Sequence, residues 1–219
     1  MGHIGFGKKL YISSLGIILL TILIIAIVNF YQTKVNFLSK GKAGIQNVSD
    51  VLLKTIEMQY NFQKNKLDSD LGILMTESQS AGNTMLIKNR TTEMDVTDLL
   101  SKEKAHLTLP KLIFGIEFVT GEYTIVDKVG QFSSSQIEIY QFFENKLIKV
   151  STNLKNSDET RPVGTYYTDA SDVYKATSDG TPYLFMSGTG RDRTLQILSP
   201  FRDKLENTIV GAYSITARI

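Results

Sequence analysis

The 219-residue chain has no cysteine and no tryptophan, only two histidines and only four prolines. Without cysteine there is no disulfide framework, no thiolate metal site and no cysteine nucleophile. His3 precedes the long apolar run described below. That leaves His106, in KEKAHLTLP, as the histidine a folded domain could use for acid–base chemistry. Its place beside a turn suits a solvated loop. No Gly-x-Ser-x-Gly, His-Glu-x-x-His or phosphate-loop motif occurs. GTGRDR, Gly188 to Arg193, resembles a glycine-rich anion cradle but leads into a strand pattern, where such cradles open a helix. It reads as a hairpin turn. Asp68 and Asp70 lie inside a helical stripe, and their neighbours do not continue a calcium-loop pattern. Neither an enzyme nor a cofactor or metal site is expected. Charge of one sign is also missing. Twenty-four basic residues face 22 acidic ones, for a net +2, with no basic stripe. A nucleic-acid partner is therefore not expected.

What the chain does have is one long apolar run. LYISSLGIILLTILIIAIVNFY, Leu10 to Tyr31, is 22 residues without a charge. As a helix it would reach about 30 Å, the hydrocarbon thickness of a bilayer. Tyr11, Phe30 and Tyr31 sit at its ends, where aromatic rings favour the interface. A cleavable signal peptide is the competing reading, but bulky residues follow where a small-x-small site would be needed. The expected division is a cytoplasmic tail at 1–9, a transmembrane helix at 10–31 and a domain at 32–219. Lysines on both sides leave the orientation nearly tied by charge.

Beyond the run, Val35, Leu38, Ile45, Val48, Leu52, Ile56, Leu67, Leu71 and Leu74 fall at mostly helical steps. They predict a long helix running past Met75, with SQSAGN (78–83) as its frayed end. TTEMDVTDLLSKEKAH is read as a short helix capped by Asp95 or Thr97. SQIEIYQFF and NKLIKVSTN alternate and read as an antiparallel hairpin, ASDVYKAT as a short helix, and PYLFMSG, RTLQILSPF and NTIVGAYSITARI as three more strands. Helices and strands in blocks predict an α+β domain in which the long helix packs on one antiparallel sheet.

Arg161, next to Pro162, offers a planar fork of donors suited to a carboxylate. Tyr166, Tyr167, Tyr174 and Tyr183 lie on the elements around it, and Arg193 and Gln196 lie on a later strand. Arginine with tyrosines near a sheet edge is what a small-anion or amino-acid pocket would use. Equally, Arg161 could pair with Asp158 or Glu159 in its own turn.

KLIKVSTNLKNSDETRPVGTYYTDASDVYKATSDGTPY resembles the extracytoplasmic Cache sensor domains of bacterial methyl-accepting chemotaxis proteins, of the Cache-3/Cache-2 fusion type. The residues that carry the resemblance are Ser151, Thr152, Asn153, Arg161, Val163, Gly164, Thr165, Val173, Tyr174, Gly180 and Tyr183, followed by Pro200, Asp203, Ile209, Gly211 and Tyr213. Pro162 stands where the family usually has alanine. The resemblance implies a PAS-like five-stranded antiparallel sheet with a long N-terminal helix that dimerises, and a small ligand, a carboxylate or amino acid, bound over the sheet. Arg161, Tyr166, Tyr183, Arg193 and Gln196 are the expected ligand-binding residues. It also implies an inner-membrane anchor, a periplasmic sensor and a signalling half beyond Ile219. A histidine kinase or diguanylate cyclase sensor, or a tethered binding module without output, are the alternatives.

Overall fold

The computed structural model describes residues 6–218, and side chains outside 6–13 and Arg191. Residues 1–5 of the expected tail, His3, and the side chains of Lys8, Lys9, Tyr11 and Arg191 lie outside the described residues. The chain divides into two units, Met1–Glu57 and Met58–Ile219. Helix α1, Phe6–Ala81, belongs to both.

Among the described residues of the first unit α1 is the one element, and every described side chain is exposed. Among the described residues α1 is the one helix long and apolar enough to cross a membrane. The stripe expected to be buried is exposed within this unit at Val35, Leu38, Ile45, Val48, Leu52 and Ile56.

In the second unit α1 buries one face through Leu67, Leu71, Leu74 and Ser78, at the steps of four, three and four of a helical stripe, with Asp70 beside them. It stops at Ala81 because Gly82 turns to φ 134°. A Cβ on Gly115 would lie 2.0 Å from the Ala81 carbonyl oxygen, so the turn at Gly115, well further along the chain, closes directly over the helix end.

The strands are β1 (Thr84–Asp98), β2 (Lys104–Phe114), β3 (Glu117–Phe118), β4 (Gln136–Phe143), β5 (Lys146–Thr152), β6 (Thr165–Thr168), β7 (Tyr183–Ser187), β8 (Thr194–Arg202) and β9 (Ile209–Arg218). Helix α2 spans Thr124–Gly130 and α3 spans Asp172–Ser178. The strands form one nine-stranded sheet in the order β3-β2-β1-β6-β5-β4-β9-β8-β7. All pairs are antiparallel except β1 with β6.

The five predicted strands are the contiguous block β5-β4-β9-β8-β7. The sheet is larger than five strands because β1, β2, β3 and β6 join that block, and Thr91–His106 forms strand, turn and strand in place of a helix. Met94, Val96 and Asp98 are buried alternately, and the β1–β2 pairing overrides the helical preference of the charged residues. Asp95 and Thr97 therefore cap no helix. Asp98 instead holds the β1–β2 turn, accepting from the Leu100 amide at 2.6 Å.

The β4–β5 hairpin turns through Glu144 and Asn145, both left-handed at φ 44° and 57°. Ser171 caps α3, its hydroxyl accepting from the Tyr174 amide at 3.2 Å. One sheet face meets α1 and α2 through Leu71, Leu74, Val126, Val129, Ile139, Ile148 and Ile215. The opposite face meets α3 in a smaller cluster with Tyr140, Leu147, Val173, Leu198 and Ala212.

Candidate functional site

Strand alternation sends neighbouring side chains to opposite faces. On β4, Ile137 and Ile139 go to the helix face, while Glu138, Tyr140 and Phe142 go to the face under α3. Cross-strand register adds Lys149 and Leu147 from β5, Tyr167 from β6, Ser214 and Ala212 from β9, Gln196 and Leu198 from β8, and Tyr183 and Phe185 from β7. This face has two halves, one ringed by aromatics and one polar.

The polar half centres on Glu138, 3% exposed. Its Oε1 accepts from Gln136 Nε2 at 2.6 Å and from Lys149 Nζ at 3.0 Å. Its Oε2 is reached by Tyr140 Oη at 3.2 Å, Gln196 Nε2 at 3.3 Å and Ser214 Oγ at 3.4 Å. Gln196 also donates to Ser214 Oγ at 2.8 Å. Taking a carboxylate and an ammonium out of water costs several kcal/mol per ion, returned only when geometry and extra hydrogen bonds are good. Here Glu138 collects neutral donors from three strands in addition to its counter-ion.

The aromatic half stacks Tyr140 on Tyr167, centroids 5.9 Å apart, and sets Phe142 edge-on to Tyr174 of α3 at 5.1 Å. Tyr183 lies 5.5 Å from Phe185. Burial, reinforced by the Glu138 charge, pushes the Tyr140 and Tyr167 phenols well above their ordinary range. Both are neutral donors at any physiological pH, and the face offers one fixed negative charge, one positive charge and several neutral donors among rings. Such a surface can orient a small polar molecule.

The five residues expected from sequence do not converge. Gln196 and Tyr183 share the face just described. Tyr166 points the other way, into the core with Ile148. Arg193 is exposed, directly before β8. Arg161 donates to Asp127 of α2 through both terminal nitrogens, at 2.9 and 2.8 Å, and to the Thr152 carbonyl at 3.1 Å, with its guanidinium 4.8 Å from the Tyr123 ring centre. It also lines an open depression of about 360 Å³ with Gly130, Gln131, Asn153 and Lys155. Its partner is neither Asp158 nor Glu159: Asp158 accepts from Thr160, and Glu159 from Lys155.

His106 stands on β2 and not in a loop. Its Nδ1 lies 2.7 Å from Asp95 Oδ1 across the strand pair, and this hydrogen bond pushes its pKa up. Among the described residues no group of three or more His, Cys, Asp or Glu side chains is placed to hold a metal ion.

Sequence reasoning missed Glu138 and Lys149. Their signal was present: each is a charged residue flanked by two apolar ones, in IEI and IKV, within strands that were recognised.

Residues 31–213 match the Cache 3/Cache 2 fusion domain. No curated protein matches the sequence. Cache domains are extracellular modules for sensing small molecules and are typically not enzymes. With 31–213 of its 219 residues matched, the chain belongs to the Cache 3/Cache 2 fusion domain family.

Proposed function

We propose that this chain is the sensing part of a bacterial chemoreceptor. Residues 10–31 anchor it in the inner membrane, 1–9 lie in the cytoplasm, and 32–219 form the periplasmic sensor. A small molecule binds on the sheet face under α3, and the signal passes through a homodimer of long helices. The observation that carries this reading is the Glu138 cluster: a buried charged group with five hydrogen-bond donors, set beside an aromatic wall on the face that α3 covers. The exposed apolar stripe of α1 in the first unit supports the homodimer.

Of the residues expected from sequence, Tyr183 and Gln196 belong to this binding face. Ligand binding acts by its differential affinity for two arrangements of the dimer. The test is a thermal-shift and calorimetric screen of the full chain in nanodiscs against organic acids, amines and amino acids. A ligand should raise the midpoint, and Tyr183→Ala or Gln196→Ala should weaken it about tenfold. Binding insensitive to both changes overturns the site.

A further inference from the structure

On the helix side of the sheet, the last turn of α1, the β2–β3 turn and the start of α2 enclose a cleft of about 280 Å³. One wall is pinned in place. The Gly115 amide donates to the Asn83 carbonyl at 2.8 Å, and the Gly115 turn lies against the Ala81 carbonyl at the helix end. Ala81 and the buried Ile125 give the cleft an apolar floor. Ile116, 88% exposed, lines it from the β2–β3 turn and carries that apolar surface out to solvent.

The charges around this cleft do not balance. Glu77 of α1, Glu117 of β3 and Lys128 of α2 line it. The Lys128 ammonium is taken by Glu77. The Glu117 carboxylate has no hydrogen-bond or ion-pair partner among the described residues. The helix adds to the deficit: a helix C-terminus carries roughly half an elementary negative charge, and α1 has no basic residue in its last turn to offset it. Two hydroxyls complete the lining. Ser80 donates its proton to the Thr76 carbonyl at 2.8 Å, which leaves its oxygen free to accept, and the Thr124 hydroxyl is unbonded among the described residues.

We infer that this cleft is a second binding site, separate from the face under α3, and that it takes a small primary alkylamine. The ammonium supplies the missing positive charge at Glu117 and gives its three N–H donors to that carboxylate and to the Thr124 and Ser80 oxygens. The alkyl chain lies on Ala81, Ile125 and Ile116. The other classes of ligand fit less well. An anion would meet an uncompensated carboxylate and a helix C-terminus. A calcium ion needs about six to eight oxygens, and here a lysine and an apolar floor stand where oxygens would be required. A quaternary ammonium has no N–H to give to the hydroxyls. The volume lies just below the roughly 300–1,000 Å³ of ordinary ligand pockets, which suits an amine of a few carbons.

The experiment is calorimetric titration of the full chain in phosphatidylcholine nanodiscs with n-butylamine, with n-butanol and tetramethylammonium as comparisons and empty discs as the blank. n-Butylamine should bind saturably with a Kd of about 1 mM or tighter, and both comparisons about tenfold more weakly or worse. Glu117→Gln should weaken the amine about tenfold or more, while leaving the free protein's melting midpoint unchanged or higher, because it removes a charge that nothing balances. Lys128→Gln should bind the amine more tightly, since Glu77 is then also without a counter-ion; a purely structural effect of the change would not tighten binding. Tyr183→Ala, on the face under α3, should leave the amine's affinity as it is. No saturable amine binding, n-butanol or tetramethylammonium binding as well as the amine, or full affinity in Glu117→Gln overturns the inference and leaves the reading of the α3 face untouched. A lower midpoint for free Glu117→Gln overturns the charge deficit on which the site rests. Amine binding lost in Tyr183→Ala and kept in Glu117→Gln moves the amine to the α3 face, which overturns this site and supports that one.

Discussion

Arg161 donates twice to one carboxylate and once to the main chain, and its side chain is only 9% exposed. With its donors so committed, its loss should be felt in stability before it is felt in binding. Asp127 is 42% exposed, so solvent screens part of the pair. Arg161→Ala is expected to cost about 2 kcal/mol, lowering the midpoint by about 4–8 °C, with ligand affinity unchanged. Asp127→Ala should cost a similar amount and the double change little more, which denaturant titration of all three variants measures.

Asp203 shows the same commitment to structure. Burial works to raise its pKa, but the amides of Glu206, Leu205 and Leu86 outweigh it and hold the carboxyl below its ordinary 3.8. A depressed folded pKa gives stability that is present above the unfolded value and lost as pH falls through the folded one. Asp203→Asn should therefore be less stable than the parent at pH 7, with the gap closing as pH falls below the carboxyl's ordinary 3.8. A gap that stays constant with pH would show that the charge is not what the three amides hold.

At the scale of the element, α1 carries the apolar stripe that the first unit leaves in solvent. Leu38, Ile45 and Leu52 are each seven residues apart and exposed. Because the chain has no cysteine, single cysteines can be placed without background. Ile45→Cys and Leu52→Cys should form disulfide-linked dimers in membranes under mild oxidation. Lys54→Cys, on the opposite side of the helix, should not. Equal cross-linking at all three positions would rule out a helix-paired dimer.

Element type was legible where periodicity was clean. The IEIYQFF and KLIKVST strands alternate at Ile137–Ile139 and Ile148–Val150, which was enough to show them although their pairing shifts register between Ile139 and Tyr140, and Ser171 sits where a cap is needed. Strand β1 hid itself in two ways. It carries a charge or a polar residue at most positions, and its register breaks between Ile87 and Thr91, so alternation never runs long enough to register. Strand β6 is only four residues, and its parallel partner lies far back along the chain at Thr97 and Asp98. Pairing at that separation leaves no local trace.

Across the second unit, the helix-side core runs without a break from Leu109 and Leu112 of β2 to Ile215 and Ala217 of β9. That continuity predicts one cooperative transition for the sheet. Hydrogen exchange should give β2 and β8 amides the same opening free energy, and early opening of β1–β3 would overturn it. The site was half legible for a reason of the same scale. Glu138 and Lys149 looked like solvated strand residues, because a strand's sequence does not say that a second layer covers its outer face. Here side chains of β4, β8 and β9, namely Gln136, Tyr140, Gln196 and Ser214, close around Glu138 and Lys149 and leave them a buried pair.

That pair also constrains descent. A lineage that changes Glu138 alone strands Lys149 in the interior, and the reverse holds as well. A shift to a differently charged ligand therefore passes through paired replacement, or through a neutral intermediate such as glutamine at both positions. Ligand preference should drift slowly within a charge class and jump between classes. In any set of descendants, positions 138 and 149 should vary together.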